Sequence, residues 1–299
     1  MSMLFEDLKA FAAVIECASL TRAAETLCLT QSAVSRRIQH LEQSLGVTLF
    51  DRTSRPPVPT AMGQRIYQQA TGLLREADSL LSIAREDAGP SGRFRVGFTQ
   101  IVADAVVFEM VTAMKQAFPN LEMQLVTGWS SELEQLMARG ELDAATLMQP
   151  APSGLPRGLS GQKIATLEIL VVQSKQHPLV DASTHIGSLC GKEWILNPVG
   201  CGYRAALEAA MGGQGRRLKL GVDTHGAAIQ MRMIAAGLGL GLIPRHLLQT
   251  SPYVDELSVI SLDDFSLDMD IWIVHSNQPG NLRQANELLC RSVEAGFPH

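Results

Sequence analysis

A chain of 299 residues is longer than one ordinary core comfortably organises, so two or more folding units are expected. With 46% hydrophobic and 18% charged residues it lacks the composition of a disordered chain, and its longest apolar runs are too short to span a bilayer. A formal charge of −5 excludes a bulk positive field as the source of nucleic-acid affinity, so any such role must rest on local geometry.

The opening stretch, Met1 to Asp7, is acidic and amphipathic where a secretory signal is basic and then continuously apolar. A cytoplasmic location without a membrane partner is the expectation. Cys17, Cys28, Cys190, Cys201 and Cys290 are odd in number and scattered, without the close pairs of a zinc site or a thioredoxin-like motif. Neither a metal nor a cofactor is expected, and buried thiols are the default reading.

Between Ser19 and Glu42 the pattern is that of two short helices joined by a tight turn. Thr21 is placed to cap the first, and Ala23 and Ala24 supply small side chains where another helix crosses closely. Leu29 and Thr30 break that helix, and Thr30 can cap the next. Val34, Ile38, Leu41 and Leu45 then recur at helical spacing. The opposite face carries Gln31, Ser32, Ser35, Arg36 and Gln39 near its N-terminal half, the part of a recognition helix that enters a major groove. Gln pairs with adenine and Arg with guanine through two bonds each, so Gln31, Ser35 and Arg36 are assigned to base edges. Arg37 and Thr30 are assigned to phosphates, although a one-position rotation of the helix exchanges these roles. An ordinary amphipathic helix with a solvated face shows the same stripe; the paired short helix and the following segment argue against that reading.

Gly46 ends the helix, Val47 to Phe50 can form a strand, and the turn from Arg52 to Pro59 makes a basic wing with Arg52 and Arg55 against backbone phosphate. Arg22, Arg36, Arg37, Arg52 and Arg55 outnumber Glu25, Glu42 and Asp51 in this region.

Here the chain strongly resembles the LysR-type transcriptional regulators. The matching residues are Leu8, Phe11, Ser19, Thr21, Ala23, Ala24, Leu27, the run Thr30 to Ser35, Ile38, Leu41, Glu42, Leu45, Gly46, Leu49, Phe50, Arg52, Arg55, Thr60 and Gly63. The likeness extends over essentially the whole chain and is dense up to about residue 65. One departure is the wing prolines Pro56, Pro57 and Pro59, since proline cannot donate to a strand ladder. The resemblance implies duplex operator DNA, a small-molecule effector, RNA polymerase and further copies of the same chain, as homodimer or homotetramer, as partners.

From Thr60 to about Asp87, Ile66, Ala70, Leu73, Leu74, Ala77, Leu80, Leu81 and Ala84 repeat at three- and four-residue spacing, which predicts one long helix. Its apolar stripe is too long for the small N-terminal domain to cover, and a partner helix is the natural cover. The resemblance makes this segment the dimerising linker. Two recognition helices then address two half-sites.

After Gly89 to Gly92 the pattern becomes strands alternating with helices, an α/β arrangement with parallel strands. The strands are placed at 93–99, 121–126, 142–148, 167–173, 193–196, 218–223, 239–243 and 269–275. The helices are placed at 102–117, 130–139, 205–211 and 227–236. Residues 237–241, a GLGLG run, follow a helix and precede a strand. That is the reverse of a dinucleotide loop, so they are read as a helix end and turn.

The expected fold is therefore α/β, with an all-α-dominated N-terminal winged helix-turn-helix at 1–59 and a linker helix at 60–88. For 89–299 the resemblance implies a two-lobed type 2 periplasmic-binding-protein-like domain. One lobe takes about 92–161 and 267–299, the other about 162–266, with crossovers near 161–166 and 266–270. Ligands of such sheets sit at the carboxyl ends of strands, where helix N-termini present free amides. Thr99 and Gln100, then Trp129 and Ser130, then Asn197 to Arg204, then Thr224 and His225 occupy such loops. Gly200 and Gly202 permit close backbone approach, Tyr203 or Arg204 can meet a carboxylate, and Met148 can line the wall. A small anionic effector is the expectation. Thr99 and Ser130 have a rival role as helix caps, and Trp129 and Met148 as core residues.

A ligand-responsive regulator is the leading function. The alternative is a thiol redox-sensing regulator using Cys201, which lies in the candidate cleft eleven residues after Cys190. An enzyme reading finds no nucleophile–base pair or metal cluster and leaves the recognition helix without purpose.

Overall fold

The computed structural model describes residues 2–51, 53–54, 56–83, 89–155, 158–212, 218–277 and 279–297. The chain divides into two compact units, Met1–Asp87 and Ala88–His299.

The first unit holds α1 (Ser2–Cys17), α2 (Leu20–Thr26), α3 (Gln31–Leu45) and α4 (Ala61–Ile83). Its core gathers Phe11, Val14, Ala23, Ala24, Val34, Ile38, Leu41 and Leu49, with the Phe11 ring edge-on to Phe50 at 5.5 Å. The buried alanines let α1 and α2 meet closely. The cap of α2 differs from expectation. Ser19, not Thr21, is the N-cap, its hydroxyl accepting the Arg22 amide at 3.3 Å, because the helix already starts at Leu20 and takes Thr21 inside its first turn. Thr30 does cap α3, accepting from the Ala33 amide at 3.2 Å, and Gly46 ends it in the left-handed region at φ 67°. Leu45 stays 43% exposed and so lies past the end of the buried stripe.

Val47 to Phe50 do not form the expected strand. The Leu49 amide is taken by the Glu42 carboxylate at 2.7 Å and the Thr48 carbonyl by the Thr60 hydroxyl at 2.8 Å, and among the described residues the pairing is reduced to an isolated antiparallel bridge of Phe50 with Pro59. The flanking bonds run from the Asp51 amide to the Val58 carbonyl and from the Thr60 amide to the Leu49 carbonyl, both 2.9 Å. Phe50 and Pro59 are thus the non-hydrogen-bonded pair, and the missing N–H of Pro59 costs this wing nothing. The Thr60 hydroxyl also accepts the Gly63 amide at 2.9 Å, which starts α4. Of the expected helix to Asp87, residues 84–88 lie outside the described residues.

The second unit alternates β1 (Gly92–Phe98), α5 (Gln100–Ala117), β2 (Leu121–Thr127), α6 (Ser130–Ala138) and β3 (Ala144–Pro150). It continues through β4 (Ser160–Ser174), β5 (Ser183–Thr184), β6 (Glu193–Leu196), α7 (Gly202–Gly212), β7 (Lys219–Asp223), α8 (Ala227–Ala235) and β8 (Leu240–Pro244). It ends with α9 (Arg245–Thr250), β9 (Leu257–Leu262), β10 (Asp268–His275) and α10 (Arg283–Gly296).

The strand order is β2-β1-β3-β10-β4-β8-β6-β7, with β9 beside β4 and β5 beside β9. Pairs β1/β2, β1/β3, β6/β7 and β6/β8 are parallel, whereas β10 is antiparallel to β3 and β4. The expected crossover at 161–166 and strand at 167–173 are one strand. Residues 160–168 of β4 pair with β10, and 169–174 pair with β8 and β9. That single strand carries both halves of the sheet, which makes the unit two-lobed. Gly237 ends α8 at φ 79° before β8 begins, as the order of the GLGLG run requires. Short β5, α9, β9 and α10 had no counterpart in the sequence reading. Among the described residues no helix is long and apolar enough to cross a membrane.

Candidate functional site

Two polar surfaces stand out, one in each unit. On α3, burial of Val34, Ile38 and Leu41 turns the opposite face outward, and Gln31, Ser32, Ser35, Arg36 and Gln39 line one open concavity there. Ser32 shares a 3.1 Å bond with Thr30. Gln31, Ser35, Arg36 and Gln39 have no side-chain hydrogen bond among the described residues, so their donors and acceptors remain available to base edges.

Arg37 does not belong to that set. Its guanidinium donates to the Glu6 carboxylate of α1 at 2.7 Å, and that bond holds the Glu6 carboxyl below its ordinary value despite partial desolvation. One position along α3 turns the side chain about 100° toward the domain, so Arg37 positions α1 rather than a phosphate. Thr30 is likewise engaged as the α3 cap. Thr21 lies within α2. Arg52 and Arg55 lie outside the described residues. Just before them in sequence, Asp51 organises the wing, accepting the Thr53 amide at 2.8 Å, the Thr53 hydroxyl at 2.7 Å and the Ser54 hydroxyl at 3.0 Å. These bonds hold its carboxyl below the ordinary value.

In the second unit the four candidate loops do converge. The Gly128 amide donates to the Phe98 carbonyl at 3.0 Å, joining the ends of β1 and β2. From there Trp129 reaches the other lobe, stacking on His225 at 5.6 Å with 17° between the rings. A Cβ on Gly200, whose φ is 108°, would stand 2.6 Å from the indole, so glycine is required at this crossing. The Glu132 carboxylate accepts the Trp129 amide at 3.0 Å and fixes the start of α6.

Thr99 is the least satisfied residue of the cleft. It is 5% exposed, its hydroxyl caps nothing and has no partner among the described residues, and it immediately precedes α5, whose first two amides lack partners within the helix while the Val102 amide donates to the Thr99 carbonyl at 3.0 Å. Its own amide donates to the Thr146 hydroxyl at 3.0 Å.

The remaining expected contacts are already engaged within the protein. Gln100 is exposed and donates to Asp104 at 2.7 Å on its own helix. The Ser130 hydroxyl donates to the Met148 carbonyl at 2.9 Å and accepts its amide at 2.8 Å, so it neither caps α6 nor stands free for a ligand. Met148 is buried in the main core. Arg204 is spent on Glu208 at 2.8 Å, Asp223 at 3.1 Å and the Asn197 carbonyl at 3.2 Å, which corrects its assignment to an effector carboxylate. Those partners, Glu208 foremost, raise its pKa. Tyr203 packs on the core, and burial raises its phenol pKa. Thr224 donates to the His225 carbonyl at 3.3 Å.

Sequence reasoning missed Gln230. Buried in α8, it donates to the Asn197 side-chain carbonyl at 3.1 Å and the Thr224 carbonyl at 2.8 Å, tying two of the loops together. Thr146 was missed too; both sit in the middle of elements, where no local signal marks them.

Cys201 is buried, and burial raises its thiol pKa although the Arg204 and Tyr203 amides, the Asn197 amide and the Arg204 charge pull the other way. Arg204 is itself neutralised by two carboxylates. A buried, protonated thiol is a poor nucleophile, which weighs against the redox reading. Among the described residues no group of three or more His, Cys, Asp or Glu is placed to hold a metal.

Comparison with known proteins follows this division. Residues 5–64 match the family described as bacterial regulatory helix-turn-helix protein, lysR family, and residues 87–291 match the LysR substrate binding domain. The HTH-type transcriptional regulator BenM of Acinetobacter baylyi is 27% identical over 248 residues, covering 81% of this chain and 80% of BenM. The Escherichia coli HTH-type regulator YeiE, described as uncharacterized, is 24% identical over 278 residues, 93% of each chain. Among solved structures, a full-length OxyR variant from Pseudomonas aeruginosa has a TM-score of 0.72 at 19% identity, covering 98% of this chain and 94% of that one, a likeness of fold.

Proposed function

The chain belongs to the LysR family of transcriptional regulators, and from that premise we propose that it reads an operator through α3 and responds to a small anionic effector held between the two lobes of its second unit. The observation that carries the DNA half is the outward face of α3, with Gln31, Ser35 and Arg36 unengaged beside Ser32. Arg52 and Arg55 of the wing take flanking phosphates. The exposed Leu73 and Leu80 of α4 support pairing of two chains, as the homodimer or a homotetramer built from it, so that two recognition helices meet two half-sites.

The effector half is supported by Thr99. An unpartnered buried hydroxyl at the start of an 18-residue helix, with free amides and the positive end of the helix dipole beside it, suits a carboxylate or similar anion. In this reading Trp129, Gly200 and His225, which meet across the lobes, border the bound anion. Binding there biases how the lobes sit, and operator DNA must in turn alter effector affinity.

Selection of duplexes from a randomised pool by the full-length protein tests the first half. An enriched inverted repeat with half-sites about one helical turn apart is expected; an unenriched pool counts against it. Calorimetric titration with a series of small carboxylates tests the second. Binding weakened at least tenfold by Thr99→Val is expected, and silence across the series overturns it.

A further inference from the structure

Away from the cleft, α10 borders a groove of about 520 Å³, within the usual size of small-molecule sites. Asn286 lines it and is 4% exposed, and neither its Nδ2 nor its Oδ1 has a hydrogen-bond partner among the described residues. A buried polar group without a partner loses its hydration and gains nothing in return. An occupant that accepts from Nδ2 and donates to Oδ1 removes that cost from both ends of the amide.

The rim carries both signs of charge. Arg283 and Arg291 face the groove together with Glu287 and Glu294, at spacings of four, four and three along α10 that place them on one side of the helix. Glu294 accepts from Gln162 of β4 at 2.9 Å. Burial, and then the charges of Glu294 and Glu287, push the Cys290 thiol between them up to about 11, so the thiol is neutral and the carboxylates set the local field. A simple anion would gain the guanidinium groups but meet two carboxylates, and a simple cation would meet the reverse.

We propose that this groove is a second small-molecule site, taking a zwitterion of the α-amino-acid class. The ligand carboxylate lies toward Arg283 and Arg291 and accepts from Asn286 Nδ2. Its ammonium group lies toward Glu287 and Glu294 and donates to Asn286 Oδ1. Gln162 stands on β4, the strand that carries both halves of the sheet, and the groove residue His275 on β10 beside it, so an occupant bears on the strand that links the lobes.

The test is calorimetric titration of the full-length protein with each of the twenty free L-amino acids. At least one binds, and Glu287→Gln and Arg291→Gln, both rim changes, each weaken it at least tenfold. The N-acetyl and methyl ester derivatives of that amino acid lose at least as much, and Thr99→Val leaves its affinity unchanged. Silence from all twenty overturns the proposal and leaves a water-filled groove. So does binding that Thr99→Val removes and the rim variants do not, which places the ligand in the cleft. An N-acetyl derivative that binds as tightly as the free amino acid overturns the zwitterion assignment.

Discussion

The recognition face of α3 and the cleft of the second unit are both rich in polar side chains, yet they use them in opposite ways. On α3, Gln31, Ser35, Arg36 and Gln39 stand unengaged on an open, outward face. In the cleft, Ser130, Asn197, Arg204, Thr224 and Gln230 are bonded to one another or to backbone, leaving the Thr99 hydroxyl as the conspicuous exception. A surface that docks on a large rigid partner can hold its donors in water at little cost. A cleft between lobes must satisfy its buried groups internally or leave them for a ligand. The few groups left over are therefore the informative ones.

The largest change that sharpens this contrast is Gly200→Ala. A side chain at φ 108° against the Trp129 indole costs about 1–3 kcal/mol. The expected outcome is a lower urea midpoint for the second unit and a shifted tryptophan emission, with operator affinity in the absence of effector unchanged. Equal loss of DNA binding would break the division between the two regions.

Arg204→Ala comes next. Because the guanidinium bonds Glu208, Asp223 and the Asn197 carbonyl at 11% side-chain exposure, its removal is expected to lower stability by about 1–2 kcal/mol. A variant as stable as the parent that has lost all carboxylate binding would return Arg204 to the role the sequence suggested.

Thr30→Ala removes the α3 cap and is expected to cost about 1 kcal/mol in thermal unfolding of the first unit, leaving base preference intact. A changed preference without a stability loss would make Thr30 a DNA contact instead.

The smallest effect is one of pH. Burial works to raise the Asp270 pKa, but the Thr166 hydroxyl, the Ser153 amide and hydroxyl, and Lys163 outweigh it and hold the carboxyl below its ordinary value. A lowered folded-state pKa contributes stability that is fully present above the unfolded value of about 3.9 and is lost as pH falls through the folded one. Urea midpoints of the parent should therefore fall below about pH 4 more steeply than those of Asp270→Asn. Parallel curves would remove Asp270 from the tie between β4 and β10.

Much of the architecture was legible because it is local. Thr30, Gly46 and the Val34, Ile38, Leu41 stripe specify α3 within seventeen residues, and the alternating strands and helices of the second unit carry their own periodicity. What was missed depends on partners far away in sequence. Arg37 looks like its neighbour Arg36 until Glu6 is seen beside it, and Arg204 looks like an anion ligand until Asp223 arrives from β7. Ser19 displaced Thr21 as cap by a start two residues earlier, a difference the residue types alone do not decide. The wing strand failed because Glu42 and Thr60 compete for its backbone groups.

The most direct test of the DNA-reading face is missing-base interference on the selected duplex, comparing the full-length parent with Arg36→Ala. The expected result is that interference disappears at one base pair in each half-site, with discrimination falling about tenfold to a hundredfold while flanking backbone contacts persist. Identical interference patterns would contradict the assignment of Arg36 to a base edge and, with it, the orientation of α3 in the groove.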